Sequence, residues 1–157
     1  MPDKSDGKEK PKVNIRYLFA MCNDIDEMRR FYTELLGMQE QSYMNDESFG
    51  WLCYDSEGFQ LMFFRAEKKI PVTAEWAWQP GYDGGELPVT SWAVVIPEAD
   101  FKATITRMRD GGAKMHSELP EWRQGSYWGF NVMDPMGNTI EIFMIPAEKP
   151  ESTDWMD

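Results

Sequence analysis

The stretch IRYLFAMCNDIDEMRRFYTELLG, residues 15–37, contains a strand, a helix start, a helix and a helix stop in immediate succession. Ile15 to Cys22 is apolar and aromatic enough for a buried strand. Beyond it, Ile25, Met28, Tyr32, Leu35 and Leu36 recur at helical spacing, which predicts an amphipathic helix of about three to four turns. Asp24 is placed to accept hydrogen bonds at its N-terminus, and Gly37 to turn the chain away at its end.

The same arrangement returns in VTSWAVVIPEADFKATITRMRDGG, residues 89–112. Val89 to Ile96 repeats the strand, Pro97 opens the helix, Phe101, Ile105 and Met108 form its inner face, and Gly111 and Gly112 end it. A shift of 74 positions superposes Ser91 on Tyr17, Glu98 on Asp24 and Gly111 on Gly37. After each helix come three segments of strand character. In the first copy these are Gln39–Met44, Phe49–Tyr54 and Phe59–Phe64, and in the second Lys114–Leu119, Tyr127–Met133 and Thr139–Met144. The order βαβββ therefore occurs twice, and a duplicated unit around a shared cleft is the expected plan.

Connections set the boundaries. Residues 1–11 are polar and aperiodic and read as a disordered N-terminal tail, and 147–157 read as a mobile acidic C-terminal tail. Residues 12–66 form the first unit and 89–146 the second. The linker at 67–88 carries Trp76, Trp78, the turn Gln79-Pro80-Gly81 and then Asp83-Gly84-Gly85, the signature of an irregular segment that covers an edge or a cleft.

Composition narrows the function. A chain of 157 residues with 42% hydrophobic and 14% aromatic residues can build one core. Its net charge of −11 disfavours nucleic acid and anionic membrane surfaces, and suits a neutral or cationic small molecule. Cys22 and Cys53, the two cysteines, read as reduced core thiols. With no leader-like segment and no run of about 18 apolar residues, a cytoplasmic location is expected.

Three further motifs carry a resemblance. Asp24-Ile25-Asp26, Phe31-Tyr32-Thr33-Glu34-Leu35-Leu36-Gly37-Met38 and Asp134-Pro135-Met136-Gly137-Asn138-Thr139-Ile140-Glu141-Ile142-Phe143, in this order, resemble the vicinal oxygen chelate superfamily of glyoxalase I, bleomycin-resistance proteins and extradiol dioxygenases. The resemblance implies an α+β fold of two βαβββ units forming an open eight-stranded cup, with the helices outside and the ligand on the concave face. In metal-dependent relatives the first and last strands of each unit supply the metal ligands. The matching positions here are Tyr17, Met62, Ser91 and Glu141, of which Glu141 is a good donor and Tyr17 a conditional one. Three or more His, Cys or carboxylate donors are normally needed, so no metal and no cofactor is expected.

Strand alternation then predicts the cup lining. If Glu141 points inward, so do Thr139 and Phe143, together with Tyr17, Phe19 and Met21 on the first strand, Gln60, Met62 and Phe64 on the fourth, and Ser91, Ala93 and Val95 on the fifth. Trp51 and Trp128 lie on the third strand of each unit and complete the set of ligand-binding candidates. Glu141 lies between Ile140 and Ile142 and needs a partner for its carboxylate, for which Tyr17 is the candidate. His116, the single histidine, lies in a weak strand away from the matched positions and reads as structural or surface.

Two functions follow. One is a glyoxalase/bleomycin-resistance-like protein that binds a small aromatic or cationic molecule without metal catalysis. The alternative is a glyoxalase-like lyase or dioxygenase-type enzyme with an atypical metal site or with Glu141 as catalytic base. A symmetric homodimer that buries exposed tryptophans is compatible with either.

Overall fold

The computed structural model describes residues 12–156, so the predicted N-terminal tail lies outside the described residues. The first unit runs β1 (Tyr17–Cys22), α1 (Ile25–Arg29), a π-helical turn (Arg30–Leu35), β2 (Glu40–Asn45), β3 (Gly50–Ser56) and β4 (Phe59–Arg65). The second runs β5 (Trp92–Val95), α2 (Glu98–Asp110), β6 (Lys114–Met115), β7 (Glu121–Arg123), β8 (Tyr127–Met133) and β9 (Thr139–Met144).

Each unit makes its own sheet. The first has the order β1-β4-β3-β2, and the second the order β5-β9-β8-β6 with β7 also on β8. In both, the opening strand lies parallel to the closing one, Phe19 opposite Met62 and Ala93 opposite Glu141, while the other pairs are antiparallel. This is the α+β architecture of two βαβββ units, open and with no closed barrel.

Local chemistry explains the elements. Asp24 Oδ1 accepts from the backbone N–H of Asp26 and Glu27, at 2.8 and 3.1 Å, and so caps α1. The helix then widens, with Leu36 N–H donating to Phe31 O five residues back. In an α-helix, neighbours such as Phe31 and Tyr32 point about 100° apart. The wider turn reduces that angle, and both rings are buried together with Leu35 and Leu36. Gly37, at φ +86, ends the helix as its sequence position suggests. The strand expected over Lys114–Leu119 is instead two short strands. Between them Ser117 to Pro120 loops out, with Ser117 Oγ donating to Leu119 O and Arg109 donating to Glu118 O, and Pro120 offers no N–H to a ladder.

One core joins the units through their helix-bearing faces. Phe63 on β4 meets Trp92 on β5 at 6.5 Å between ring centroids, and Tyr32 OH donates to Asp134 Oδ2 at 2.8 Å. Arg107 on α2 donates to Leu35 O, and Arg30 donates to Gly111 O. A Cβ on Gly111 would lie 2.2 Å from Leu35 Cδ2, so the glycine that ends α2 also lets the first unit approach. The opposite face of each sheet remains on the outside. The cup is therefore present as two half-cups, one per sheet, with the helices behind them.

The linker behaves differently at its two ends. Ile70 exchanges two hydrogen bonds of 2.8 Å with the Asn23 side chain, which ties it to the first unit. From Thr73 onward the chain belongs to the second: Thr73 N–H donates to Met136 O, Lys114 Nζ to Ala74 O, and Ala77 N–H to Thr139 Oγ1. At the C-terminus, Trp155 packs against Phe101 and Trp128 at 5.6 and 5.0 Å and anchors the tail there.

Candidate functional site

The first half-cup follows from strand register. Phe19 is opposite Met62 and Met21 opposite Phe64 across β1 and β4, and Trp51 is opposite Phe64 across β3 and β4, so these side chains share one face. Leu18, Leu61, Phe63, Leu52 and Tyr54, at the alternate positions, belong to the core. The outer face is apolar and open. Tyr17 is 51% exposed and Phe19 58%. A cleft of about 700 Å³ runs over Tyr17, Phe19, Met21, Phe49, Met62 and Phe64.

The rings of this cleft are already arranged against one another. Phe64 is edge-on to Phe19 at 6.0 Å and stacked with Trp51 at 6.4 Å, 19° from parallel. Polar groups stand at the margin, where Ser48, Arg65 and Glu67 complete the lining. Arg65 is held by the Asn45 side chain and by Asp46 O, so its charge is engaged outside the apolar floor. Gln60 donates to Gln41 at 2.6 Å, and Cys53 Sγ–H donates to the same oxygen at 3.2 Å.

The second half-cup is polar and covered. Glu141 Oε1 accepts from Arg123 Nη1 at 2.9 Å and from Tyr127 OH at 3.0 Å. Arg123 is 2% exposed and also donates to Asn131 Oδ1 and to Glu121 Oε2. Asn131 in turn donates to Gln79 of the linker at 2.5 Å, and the Arg123 guanidinium sits 5.2 Å from the centre of the Tyr82 ring. Burial first, and then the hydrogen bond to the Glu141 carboxylate, push the Tyr127 phenol up to about 12. Burial likewise raises Tyr82.

The linker is therefore a strap over this face. Trp76 and Tyr82 hold the His116 imidazole edge-on at 5.1 and 4.9 Å, Tyr82 OH donates to Ala77 O, and Ala77 bridges to Leu87. Trp78 points outward, 72% exposed.

The candidates from sequence divide accordingly. Tyr17, Phe19, Trp51, Met62 and Phe64 are brought together in the first half-cup. Glu141 and Phe143 lie in the second, with Phe143 against Tyr127 at 5.3 Å. Tyr17 is not the partner of Glu141, because the two stand on different half-cups and Arg123 and Tyr127 occupy the carboxylate. Ser91 directly precedes β5 and is half-buried. Trp128 is on the other face altogether: it pairs with Met144, is 5% exposed and packs on Trp122 in the helix-side core, so it does not line a cup.

Sequence reasoning missed Arg123, Tyr127, Asn131, Gln79 and Tyr82. A signal for two of them existed. Glu121-Trp122-Arg123, followed by the Gln124-Gly125 turn and Tyr127, alternates in a way that puts Arg123 and Tyr127 on one face.

The metal ligands of metal-dependent relatives do not fit here. Tyr17 and Met62 lie on one half-cup and Glu141 on the other, and a guanidinium 2.9 Å from Glu141 opposes a second cation. Among the described residues no group of three or more His, Cys, Asp or Glu side chains stands close enough to hold an ion.

Comparison with known proteins identifies the class. The sequence profile of the Glyoxalase/Bleomycin resistance protein/Dioxygenase superfamily matches residues 14–142, and the chain belongs to that superfamily. No curated protein matches it in sequence. Among solved structures, a glyoxalase/dioxygenase from Nostoc punctiforme superposes with a TM-score of 0.62 at 19% identity, covering 85% of this chain and 91% of the other. The fosfomycin resistance protein FosX from Mesorhizobium loti gives 0.58 at 14% identity, covering 84% and 91%. FosX from Listeria monocytogenes, in its hexagonal form, gives 0.60 at 11% identity, covering 88% and 98%. At these identities the likeness shows the fold alone.

Proposed function

We propose that this protein is a small-molecule binder that takes a flat, largely apolar compound into the first half-cup. The observation that carries this reading is the cleft of about 700 Å³ over Tyr17, Phe19, Met21, Phe49, Met62 and Phe64. Ligand sites combine a mostly apolar lining with a few polar groups, and this cleft has that composition. Its stacked and edge-on rings suit a planar guest. A positive group on the guest would meet Glu67 at the margin rather than Glu141, which Arg123 already neutralises. The same contacts weigh against the enzymatic alternative, because Glu141 Oε1 already accepts hydrogen bonds from Arg123 and Tyr127.

A second copy of the chain completes the site in this reading. Val13 and Ile15, 86% and 79% exposed, continue the apolar surface of Tyr17 and Phe19 along the chain, and β1 pairs on one side only. A homodimer would cover this surface and that edge.

The test is a titration with 2-naphthol and with a naphthylmethyl ammonium salt, followed by methyl NMR at Met21 and Met62. Saturable shifts that vanish in Phe19→Ala, with the ammonium probe alone weakened by Glu67→Gln, are expected. If neither probe moves those methyls, the reading is wrong. Sedimentation analysis tests the dimer, and a monomer at all concentrations overturns that part.

A further inference from the structure

A second hollow lies behind the first half-cup, where the two units meet. Its volume is about 200 Å³, and Leu18, Met38, Tyr54, Leu61, Trp92 and Val94 form its walls. The walls come from β1, β3 and β4 of one unit and from β5 of the other, with Met38 from the segment after α1. It is a pocket open at one end: Ser56, Phe59, Ala93 and Val95, which complete its lining, are exposed.

Its chemistry is nearly all hydrocarbon. Leu18, Leu61 and Val94 present aliphatic carbon and Met38 a flexible thioether that adapts to irregular guests. Two of the inner walls carry a polar atom: the Tyr54 hydroxyl is engaged with Thr33 Oγ1 at 2.8 Å, and the buried Trp92 indole N–H makes no hydrogen bond among the described residues. No charged side chain contributes to the lining. Apolar walls of this kind favour a hydrocarbon guest, and an apolar cavity of about 150 Å³ is large enough for benzene or xenon. Ser56 and Val95, both exposed, mark the mouth through which a guest enters.

We infer that this inter-unit hollow is a binding site for a small apolar molecule, of the size of one aromatic ring or a short branched alkyl chain. The volume excludes a helix or strand of another protein and matches a compact uncharged guest. The site is separate from the half-cup and does not depend on what the half-cup binds. The two do share strands: Leu18 and Leu61 face the hollow, while Tyr17, Phe19 and Met62, their neighbours in sequence, face the cleft.

Xenon gas and benzene are the probes, applied to the full chain with methyl groups of Leu, Val and Met labelled for NMR. Saturable shifts at Leu18, Leu61, Val94 and Met38 are expected, unchanged in a Phe19→Ala background that disables the half-cup. Val94→Phe fills the hollow and is expected to abolish the xenon shifts at Leu18 and Leu61. If that variant does not fold, the titration of the unaltered protein decides alone. Shifts confined to Met21 and Met62, or no saturable shift at any wall methyl, overturn the proposal. Xenon shifts that persist in a folded Val94→Phe protein overturn it as well.

Discussion

Replacing Tyr32 by Phe removes a single oxygen, and the structure specifies what that oxygen does. Tyr32 is fully buried in the helical segment of the first unit, and its hydroxyl donates to Asp134 Oδ2 at 2.8 Å in the β8–β9 turn of the second. Asp134 is 5% exposed and accepts three further hydrogen bonds, from the backbone N–H of Met136 and Asn138 and from Asn138 Nδ2. The ring stays, so little cavity forms, and the loss is one hydrogen bond to a charged acceptor, about 1.5–3 kcal/mol at neutral pH.

Burial raises the Asp134 carboxyl above its ordinary range, against the opposing effect of its donors. A carboxyl raised on folding contributes most below its unfolded value, near 3.9, and its contribution falls as pH rises through the folded value. Removing a donor raises it further. The deficit of Tyr32→Phe is therefore largest at neutral pH and shrinks to about 1 kcal/mol where Asp134 is protonated. Urea unfolding followed by far-UV dichroism and tryptophan fluorescence, from about pH 4 to about pH 8, measures it. Because the two units share one core, both signals should report a single transition. A deficit below about 0.5 kcal/mol at neutral pH, or one that grows toward acid, would refute the assignment of this contact.

Three other outcomes follow from the geometry. Gly137→Ala places a Cβ 1.8 Å from Thr73 O at φ +78, and should destabilise by more than about 2 kcal/mol in the same urea assay. Arg123→Met leaves Glu141 and Asn131 without their shared donor and should cost about 3–5 kcal/mol, whereas Glu141→Gln, which keeps an acceptor, should cost clearly less. Ultraviolet titration of the tyrosines should find Tyr127 near 12 and show it falling only part of the way toward its ordinary value in Glu141→Gln, since burial is the larger cause.

Much of the architecture was legible because it rests on local signals. Asp24 and Gly37 mark a helix by the hydrogen bonds they make and the φ they adopt, and a repeat of those marks 74 positions on announces the second unit. Alternation along β1 and β4, a property of the chain itself, likewise puts Tyr17, Phe19, Met62 and Phe64 on one face. What failed depended on partners. The face of Trp128 depends on the β8–β9 register, which the turn sets by pairing Met133 with Thr139 and so aligns Trp128 with Met144. A shared concave face would bring Tyr17 to Glu141, whereas the units share their helix-bearing faces and Arg123 and Tyr127 hold the carboxylate. Arg123 reaches that carboxylate from a three-residue strand, whose alternation with Tyr127 gives its face, but nothing local pairs it with Glu141.

The strap also decides where this chain can be divided. By repeat pattern the second half begins at Val89, but its hydrogen-bonded contacts begin sixteen residues earlier, at Thr73. A fragment opened at the repeat boundary would leave Asn131, Thr139 and His116 without the groups that cover them. The natural scissors point is Pro71-Val72, between the residue that answers to Asn23 and the one that answers to Met136. Thus the repeat unit and the physical unit differ: the repeat pattern begins at Val89, while the second unit's hydrogen bonds take in the connector from Thr73 onward.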